Sequence, residues 1–256
     1  MLSSVTTDMH ETARLDVRGL PSRELNAKLK ELARAGVRRI ELRNVYGQRY
    51  IGTGLRAAVE IEIFGIPGND LGAFMDGPRI IVRGNAQDGC GNTMNEGEIV
   101  VHGNVGDVLA LCARGGKIFV KGDAGYRAAV HMKEYQAKRP TVVIGGTAQD
   151  FVAEYMAGGV VLLLGLGLKE GQRHTANFVG TGMHGGVVYV RGEVCKSQLG
   201  KEVDTAPLDE NDWLIVRKLV EEFVFHFGGD SERILGHKFT KLLPLHLRPY
   251  GRLYAY

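Results

Sequence analysis

The sequence predicts an all-β fold, a parallel β-helix (solenoid) of about seven coils with a short N-terminal helix and a C-terminal helical cap. Three observations predict it. Glycine makes up 36 of the 256 residues, about twice its usual share of ~7 %. Marker glycines close short apolar runs at a fixed period: Gly65, Gly84, Gly103 and Gly122 stand 19 residues apart. Other columns keep the same period, with Met75, Met94, Met132 and Met156 ten residues after a marker. Self-similarity across several columns at one short period is the mark of a solenoid.

The later markers are Gly146, after an insertion around residues 133–140, then Gly165, then Gly192 one period plus eight residues on. Met183 joins the methionine column once those eight residues are removed. A second glycine column, twelve or thirteen residues past the marker, holds Gly77, Gly97, Gly115–Gly116, Gly158–Gly159 and Gly185–Gly186. A 19-residue unit is too short for a βαβ crossover. It suits one solenoid rung, with strands of successive coils stacked ~4.8 Å apart. Glycines then mark corners where φ is positive or a Cβ has no room. The methionines fill the coil interior.

Strand parity orients the rungs. Two and four residues before the marker stand Val82/Ile80, Val101/Ile99, Val120/Ile118, Leu163/Val161 and Val190/Val188. Alternate residues share a face, so these face inward. The intervening position points outward, yet it holds Ile81, Val100, Phe119, Val143, Leu162 and Tyr189. An apolar column of that length needs a cover. The expected covers are the C-terminal helix over part of it and a partner chain or self-association over the rest.

The ends break the repeat. Residues 1–39 form a lead whose Leu25, Leu29 and Leu32 are spaced for a helix from Ser22, as N-cap, to Ala35, with Gly36 as C-cap. Ile40–Leu42 is the first, irregular rung of a repeat covering 40–200. In 201–256, Asp212 caps a helix from Trp213 to Phe227, with Val216, Leu219, Val220, Phe223 and Phe227 as its apolar stripe and Gly228–Gly229 as its stop. A short helix at Ser231–Leu235 and an extended tail from Phe239 follow. One domain results.

Apolar residues are 44 % and charged residues 24 % of the chain, ordinary globular values that exclude wholesale disorder. A net charge of +3 is too mild for a nucleic-acid binder. No run approaches the ~20 apolar residues of a membrane span. The start shows no apolar signal-peptide core, so a cytoplasmic location is expected. Cys90, Cys112 and Cys195 are odd in number and far apart, against a disulfide framework or structural zinc.

The search for chemistry assigns no catalytic, cofactor-binding or metal-ligating residue. Gly165-Leu-Gly167-Leu-Lys-Glu-Gly171 lacks the spacing of a dinucleotide fingerprint, and there is no P-loop. His174 and His184 sit near each other in the eight-residue insertion and read as polar loop residues; Cys112 reads as inert core. Asp88, Asp107 and Asp150 each follow a marker by four residues. Stacked carboxylates could serve a polysaccharide-acting β-helix enzyme, but aspartate at a corner ordinarily holds its own turn.

Gly65-Ile-Pro-Gly68-Asn-Asp-Leu-Gly72-Ala-Phe-Met-Asp-Gly77 and Gly103-Asn-Val-Gly106-Asp resemble the GXGXG-motif β-helix domain that ends the large subunit of glutamate synthase. So do Asn177-Phe178 through Gly180, Gly182-Met183, Gly185-Gly186 and Tyr189-Val190, and the tail Phe239-Thr-Lys241-Leu-Leu-Pro244. Glu24–Asn26 and Asn44–Gly52 look like the free-standing form of that domain, found where the enzyme is split into subunits. The resemblance implies a right-handed β-helix that braces a glutaminase subunit and an FMN- and iron–sulfur-binding synthase subunit while glutamate is made from glutamine and 2-oxoglutarate. FMN and the cluster would lie in those partners, with no cofactor in this chain. The rungs from Gly65 to Gly192 would also fit the β-helical, non-catalytic chain of formylmethanofuran dehydrogenase, but the C-terminal helix and the Phe239–Pro244 tail favour glutamate synthase.

Overall fold

The computed structural model describes residues 5–8, 12–169 and 171–246. Twelve strands form one sheet. They are β1 (Val5–Asp8), β2 (Thr12–Asp16), β3 (Arg39–Tyr46), β4 (Glu60–Ile66), β5 (Asp76–Val82), β6 (Glu96–Val101), β7 (Lys117–Val120), β8 (Thr141–Ile144), β9 (Ala157–Leu163), β10 (Gly185–Arg191), β11 (Val203–Ala206) and β12 (Phe239–Pro244). Among the described residues three α-helices accompany them, α1 (Ser22–Arg34), α2 (Glu210–Phe227) and α3 (Ser231–Leu235), with a 3₁₀ turn at Lys196–Gln198. From β2 to β10 each strand pairs in parallel with the next. The result is a parallel β-solenoid of about six turns, the turns that separate β4 from β10.

The inward column is as the parity argument requires. Ile80, Val82, Ile99, Val101, Ile118, Val120, Val161, Leu163, Val188 and Val190 are buried, as are Met75, Met94, Met132, Met156 and Met183. All join one continuous interior cluster. One coil lacks a methionine, and Ala113 takes that place.

Both ends differ from the sequence reading. The first rung starts earlier than Ile40: β2 pairs in parallel with β3, Ala13 beside Ile40 and Leu15 beside Leu42, and β1 folds back antiparallel on β2. At the far end β12 pairs antiparallel with β10, and β11 with β12. These strands blunt the open edges of the parallel stack, and their short polar runs carry no repeat signature. Residues of the tail beyond 246 lie outside the described residues.

The helix caps also shift. α1 takes Pro21 as N-cap, and the Ser22 hydroxyl instead accepts from the Arg49 amide at 3.0 Å. Its C-terminus closes on Gly36 (φ 84°), with Val37 N–H donating to the Leu32 carbonyl and Gly36 N–H to Ala33, the Schellman arrangement. Leu25, Leu29 and Leu32 join the interior cluster at the first coils. α2 starts a turn before Trp213, capped by Asp209 in a reciprocal box with Asp212. α3 spans the expected residues.

The outward column is in register through every pairing, Glu62 beside Ile81, then Val100, Phe119, Val143, Leu162 and Tyr189. α2 lies along it. Val216, Leu219, Val220 and Phe223 pack with Phe119, Val143, Leu162 and Tyr189, joined by Ile234 and Leu235 of α3. Every member of the column from Ile81 to Tyr189 is buried within the single chain. No part of it is left for a partner, which corrects the expectation of shared cover. The helix reaches along more of the column than expected: its first turn meets Tyr189 through Asp212, and Phe225 and His226 near its end border the same groove as Ile81 and Val100.

Polar contacts pin α2 at both ends of the apolar stretch. Asp212 accepts from the Tyr189 hydroxyl at 2.6 Å and from Lys241 Nζ at 2.5 Å. Lys117 pairs with Glu222 at 2.7 Å, and the His226 ring packs on Phe119 with Nε2 3.4 Å from Glu98. Towards β3 the outward face turns ionic: Glu62, only 4 % exposed, accepts from Arg39 and Arg83 at 2.6 and 2.8 Å. Burial would raise its carboxyl, but the two guanidinium hydrogen bonds hold it below the ordinary glutamate value.

This packing can be tested at a corner and at a helix pin. Gly97 has φ 104°, and a Cβ there would overlap the Pro78 carbonyl of the coil below. Gly97→Ala is expected to lose about 1–3 kcal/mol, several degrees of melting temperature for a chain of this size. Gly167→Ala, at an exposed position with nothing within 4 Å, should melt like the parent. Equal melting of the two variants would refute the steric reading. The helix pin is tested by pH. Burial raises the Asp212 carboxyl, yet hydrogen bonds from Lys241 and Tyr189 outweigh it and leave the group below its ordinary value. A carboxyl depressed in the fold contributes stability above its unfolded pKa of about 3.9 and loses it as pH falls through the folded value. Melting curves below about pH 4 should therefore fall more steeply for the wild type than for Asp212→Asn, which is weaker at neutral pH but flatter in acid.

Candidate interaction surfaces

The corner carboxylates are structural. Asp88 Oδ1 accepts from the Asp107 amide and Asp107 Oδ1 from the Tyr126 amide, both at 2.9 Å, and Asp150 Oδ1 accepts from Asn177 N at 2.8 Å. Each side chain holds the backbone of the following coil, not its own turn as the sequence suggested. A parallel ladder runs at the marker glycines, where Asn104 N–H donates to Asn85 Oδ1, Asp123 N–H to Asn104 Oδ1 and Thr147 N–H to Asp123 Oδ1. A Cβ on Gly103, Gly122 or Gly146 would overlap these very oxygens. Glycine and the Asx residue below it are therefore one device.

The histidines and cysteines stay apart. His174 is buried, unlike the polar loop residue expected, with Nε2 3.2 Å from the Arg191 carbonyl; His184 Nδ1 contacts the Gly182 carbonyl. Among the described residues no group of three or more His, Cys, Asp or Glu could hold a metal. Cys112 is only half-buried, so the core cysteine is Cys90, whose thiol burial pushes up to about 12. Cys195 accepts from the Arg173 guanidinium at 2.6 Å. No helix of the described residues is long and apolar enough to cross a membrane.

Opposite chemistry appears on the wall between the corner and the next strand. There each coil makes two overlapping turns; after Gly103, Leu111 N–H donates to Val108 and Ala113 N–H to Ala110. Such turns need a positive φ at their third residue, and Ala110 and Cys112 supply 57° and 54°. In neighbouring coils the same places fall to Gly91 and Thr93, Ala129 and His131, or Ala153 and Tyr155. The amides alternate in direction: Val108 and Cys112 donate to the next coil at 2.8 and 2.9 Å, and Ala110 donates to the previous one at 2.8 Å. Full hydrogen bonding between coils compensates the strain of left-handed non-glycine residues.

This geometry turns large side chains outward. Phe74, Tyr126, Tyr155 and Phe178 are each about half exposed. Phe151 stacks on Phe178 at 4.9 Å, the Arg127 guanidinium lies 5.0 Å from the Phe151 ring centre, and His131 stacks on Tyr155 at 5.3 Å. Arg127 is ion-paired with the buried Glu154. A second exposed set lies on the outer side of α2, where Phe225 is 81 % and Leu214 68 % exposed. Sequence reasoning missed the turn wall because its signal, alternate residues with positive φ, is carried by glycine in some coils and by alanine, threonine or aromatics in others.

Comparison with known proteins comes to the same architecture. A family model described as GXGXG motif matches residues 7–247. An uncharacterized protein of Methanocaldococcus jannaschii is 49 % identical over 249 residues, covering 94 % of this chain and 95 % of that protein. Among solved structures, a chain of the formyltransferase/hydrolase complex from Methylorubrum extorquens, determined with methylofuran, superposes with a TM-score of 0.57 at 17 % identity. The match covers 94 % of this chain and 98 % of that one.

The structural role of the corner carboxylates is testable. Asp107→Asn keeps the acceptor for Tyr126 N–H and should melt near the parent, whereas Asp107→Ala should lose about 0.5–1.5 kcal/mol, read as a drop of a few degrees. Equal melting of the asparagine, alanine and parental proteins would mean the ladder holds nothing.

Proposed function

This chain belongs to the GXGXG-motif family, and we propose from that membership that it is an architectural subunit of a multi-subunit enzyme, contributing a rigid surface and no catalytic group. The observation that carries the reading is the turn wall. It sets partly exposed aromatic rings on backbone that is hydrogen-bonded from coil to coil, so the surface is preformed. Aromatic anchors held without conformational freedom are what protein interfaces use as energetic centres. The apolar strand face, by contrast, is already occupied by α2.

Two placements are carried forward. The Methylorubrum chain is a precedent for this fold inside a complex that handles formyl groups, and it favours a role like that of the β-helical chain of formylmethanofuran dehydrogenase. The segments 177–190 and 239–244 favour the brace of a split glutamate synthase, beside a glutaminase and an FMN- and iron–sulfur-binding subunit.

An affinity tag on the chain expressed at its native locus separates these readings. Co-purified formyltransferase or hydrolase subunits support the first, and a glutaminase with a flavoprotein supports the second. Recovery of the chain alone, or with catalytic turnover of its own, would overturn the architectural proposal. The combined variant Phe74→Ser, Tyr155→Ser, Phe178→Ser gives up the stacks on His131 and Phe151 and should melt several degrees below the parent while remaining folded, and lose its partners.

A further inference from the structure

A cavity of about 760 Å³ opens beside the last parallel rung, between the loop after Gly165, the end of β10 and the α2–α3 corner. That volume lies within the usual range for small-molecule sites. Its charged lining is one-sided. Among the described residues, Arg191, Arg233, His237, Lys169 and Lys238 border it, against one acidic side chain, Asp230. Asp230 is engaged in capping α3, its Oδ1 accepting from the Arg233 amide at 3.1 Å, and Lys238 is paired with Glu193 at 2.8 Å.

That leaves the two arginines. Neither guanidinium has a carboxylate at ion-pair distance among the described residues, while most other outward arginines of the rungs do. Arg191 is held in place, its Nη1 donating to the Leu164 and Gly165 carbonyls at 2.9 and 3.2 Å. Its Nε is buried without a partner, one of only three such side-chain nitrogens among the described residues. A second, Nδ1 of His174, belongs to a ring whose Nε2 sits on the Arg191 carbonyl. Burial and the nearby positive charge of Arg233 both push the Arg191 guanidinium below its ordinary value. Two like charges with no carboxylate at ion-pair distance disfavour each other, and an anion bound between them relieves this.

We propose that this cavity binds a small organic anion whose carboxylate or phosphate group lies between the guanidinium groups of Arg191 and Arg233. Guanidinium forks match the oxygens of either group in bidentate geometry. Leu166 and Ile234 give the cavity an apolar wall, which suits a ligand with a short carbon body behind its charged end. Gly192 and Gly228 keep side chains out of the space, since a Cβ on either would meet nothing within 4 Å.

The proposal concerns this chain's own residues and does not depend on which complex the chain serves. It is tested on the full-length protein by amide NMR titration with inorganic phosphate, glycerol phosphate, succinate and citrate, each against sodium chloride at equal ionic strength. Saturable shifts confined to Gly192, Gly228, Gly229 and His237 are expected with at least one probe. Saturation by the phosphates alone assigns a phosphate ligand, and saturation by the acids alone assigns a carboxylate. Arg233 is exposed on α3, so Arg233→Gln should fold normally and weaken binding about tenfold or more, as the loss of a charge-assisted bidentate contact does. Arg233→Glu should abolish it. Absence of saturable shifts with all four probes, shifts matched by chloride, or undiminished binding in Arg233→Glu would each overturn the site.

Discussion

The close stacking of successive coils is the constraint on which the rest of this structure depends. Strands paired in parallel stand about 4.8 Å apart, and every corner must repeat at that spacing. Where a corner of one coil lies on the corner below, there is space for backbone and one short polar side chain, and for nothing more. The protein meets this with a paired device. An asparagine or aspartate of one coil accepts the amide of the next, and in the regular coils the residue above the accepting oxygen is glycine, as at Asn85 with Gly103, Asp88 with Gly106 and Asp107 with Gly125; at Asp150, below the longer coil, it is Ala176. Loss of either half affects the other: an added Cβ displaces the oxygen, and an absent oxygen leaves an amide unpaired.

Stacking also dictates what happens on the two faces of the strand wall. In-register pairing lines up like residues, so an apolar position becomes an apolar column and a charged position becomes a ladder of charges. The outward face shows both outcomes. At its start Glu41 and Glu62 stand side by side with like charge, and flanking arginines neutralise them, Arg43 on Glu41 and Arg39 and Arg83 on Glu62. From Ile81 to Tyr189 the same column is apolar and must be covered. α2 is placed along the apolar stretch by the ends of that stretch: Asp212 meets Tyr189 and Lys241 where the column turns polar at one end, and His226 meets Glu98 near the other. Hydrophobic burial supplies the attraction and the polar pins supply the register.

This division explains which parts of the fold could be read from the residues. The inward valines, isoleucines and methionines, the outward column and the α2 stripe were legible because periodicity of two or of 3.6 survives in the sequence. The methionine column was visible because each methionine closes the second turn of its coil, as Met94 N–H to Gly91 and Met132 N–H to Ala129 show. The terminal strands were not legible: β11 and β12 pair antiparallel through residues such as Asp204, Thr205 and Lys241, which carry neither the period nor a hairpin signal. The sequence suggests Asp212 as the cap of α2, but it is the third helical residue, closing a box begun by Asp209. Two acidic residues three apart give either assignment, and only the chain direction into the helix chooses between them. For the surfaces, the sequence divides the apolar strand column between the C-terminal helix and a partner, and the structure covers all of it within the chain, whereas the turn wall, with no clear sequence signature, carries the exposed rings.

For the architectural role proposed above, the turn wall and the covered strand face matter together. A solenoid whose coils are hydrogen-bonded to one another cannot relax one coil without disturbing two more, so a load or contact at one corner is shared along the stack. Ordering costs are met when the chain folds, not when a partner docks, and that lowers the entropic cost of association. The aromatic pairs Phe151–Phe178 and His131–Tyr155 each bridge adjacent coils, so the rings themselves are held in the stacking register. An adaptable surface would put such residues on flexible loops. Here they sit on strained left-handed backbone, at Phe151, Tyr155 and Phe178, in a conformation that only the neighbouring coils sustain. Strain of this sort persists where the surroundings over-determine it. On this wall the surroundings are the coils, and the same hydrogen bonds that hold the solenoid together hold its outward rings in position.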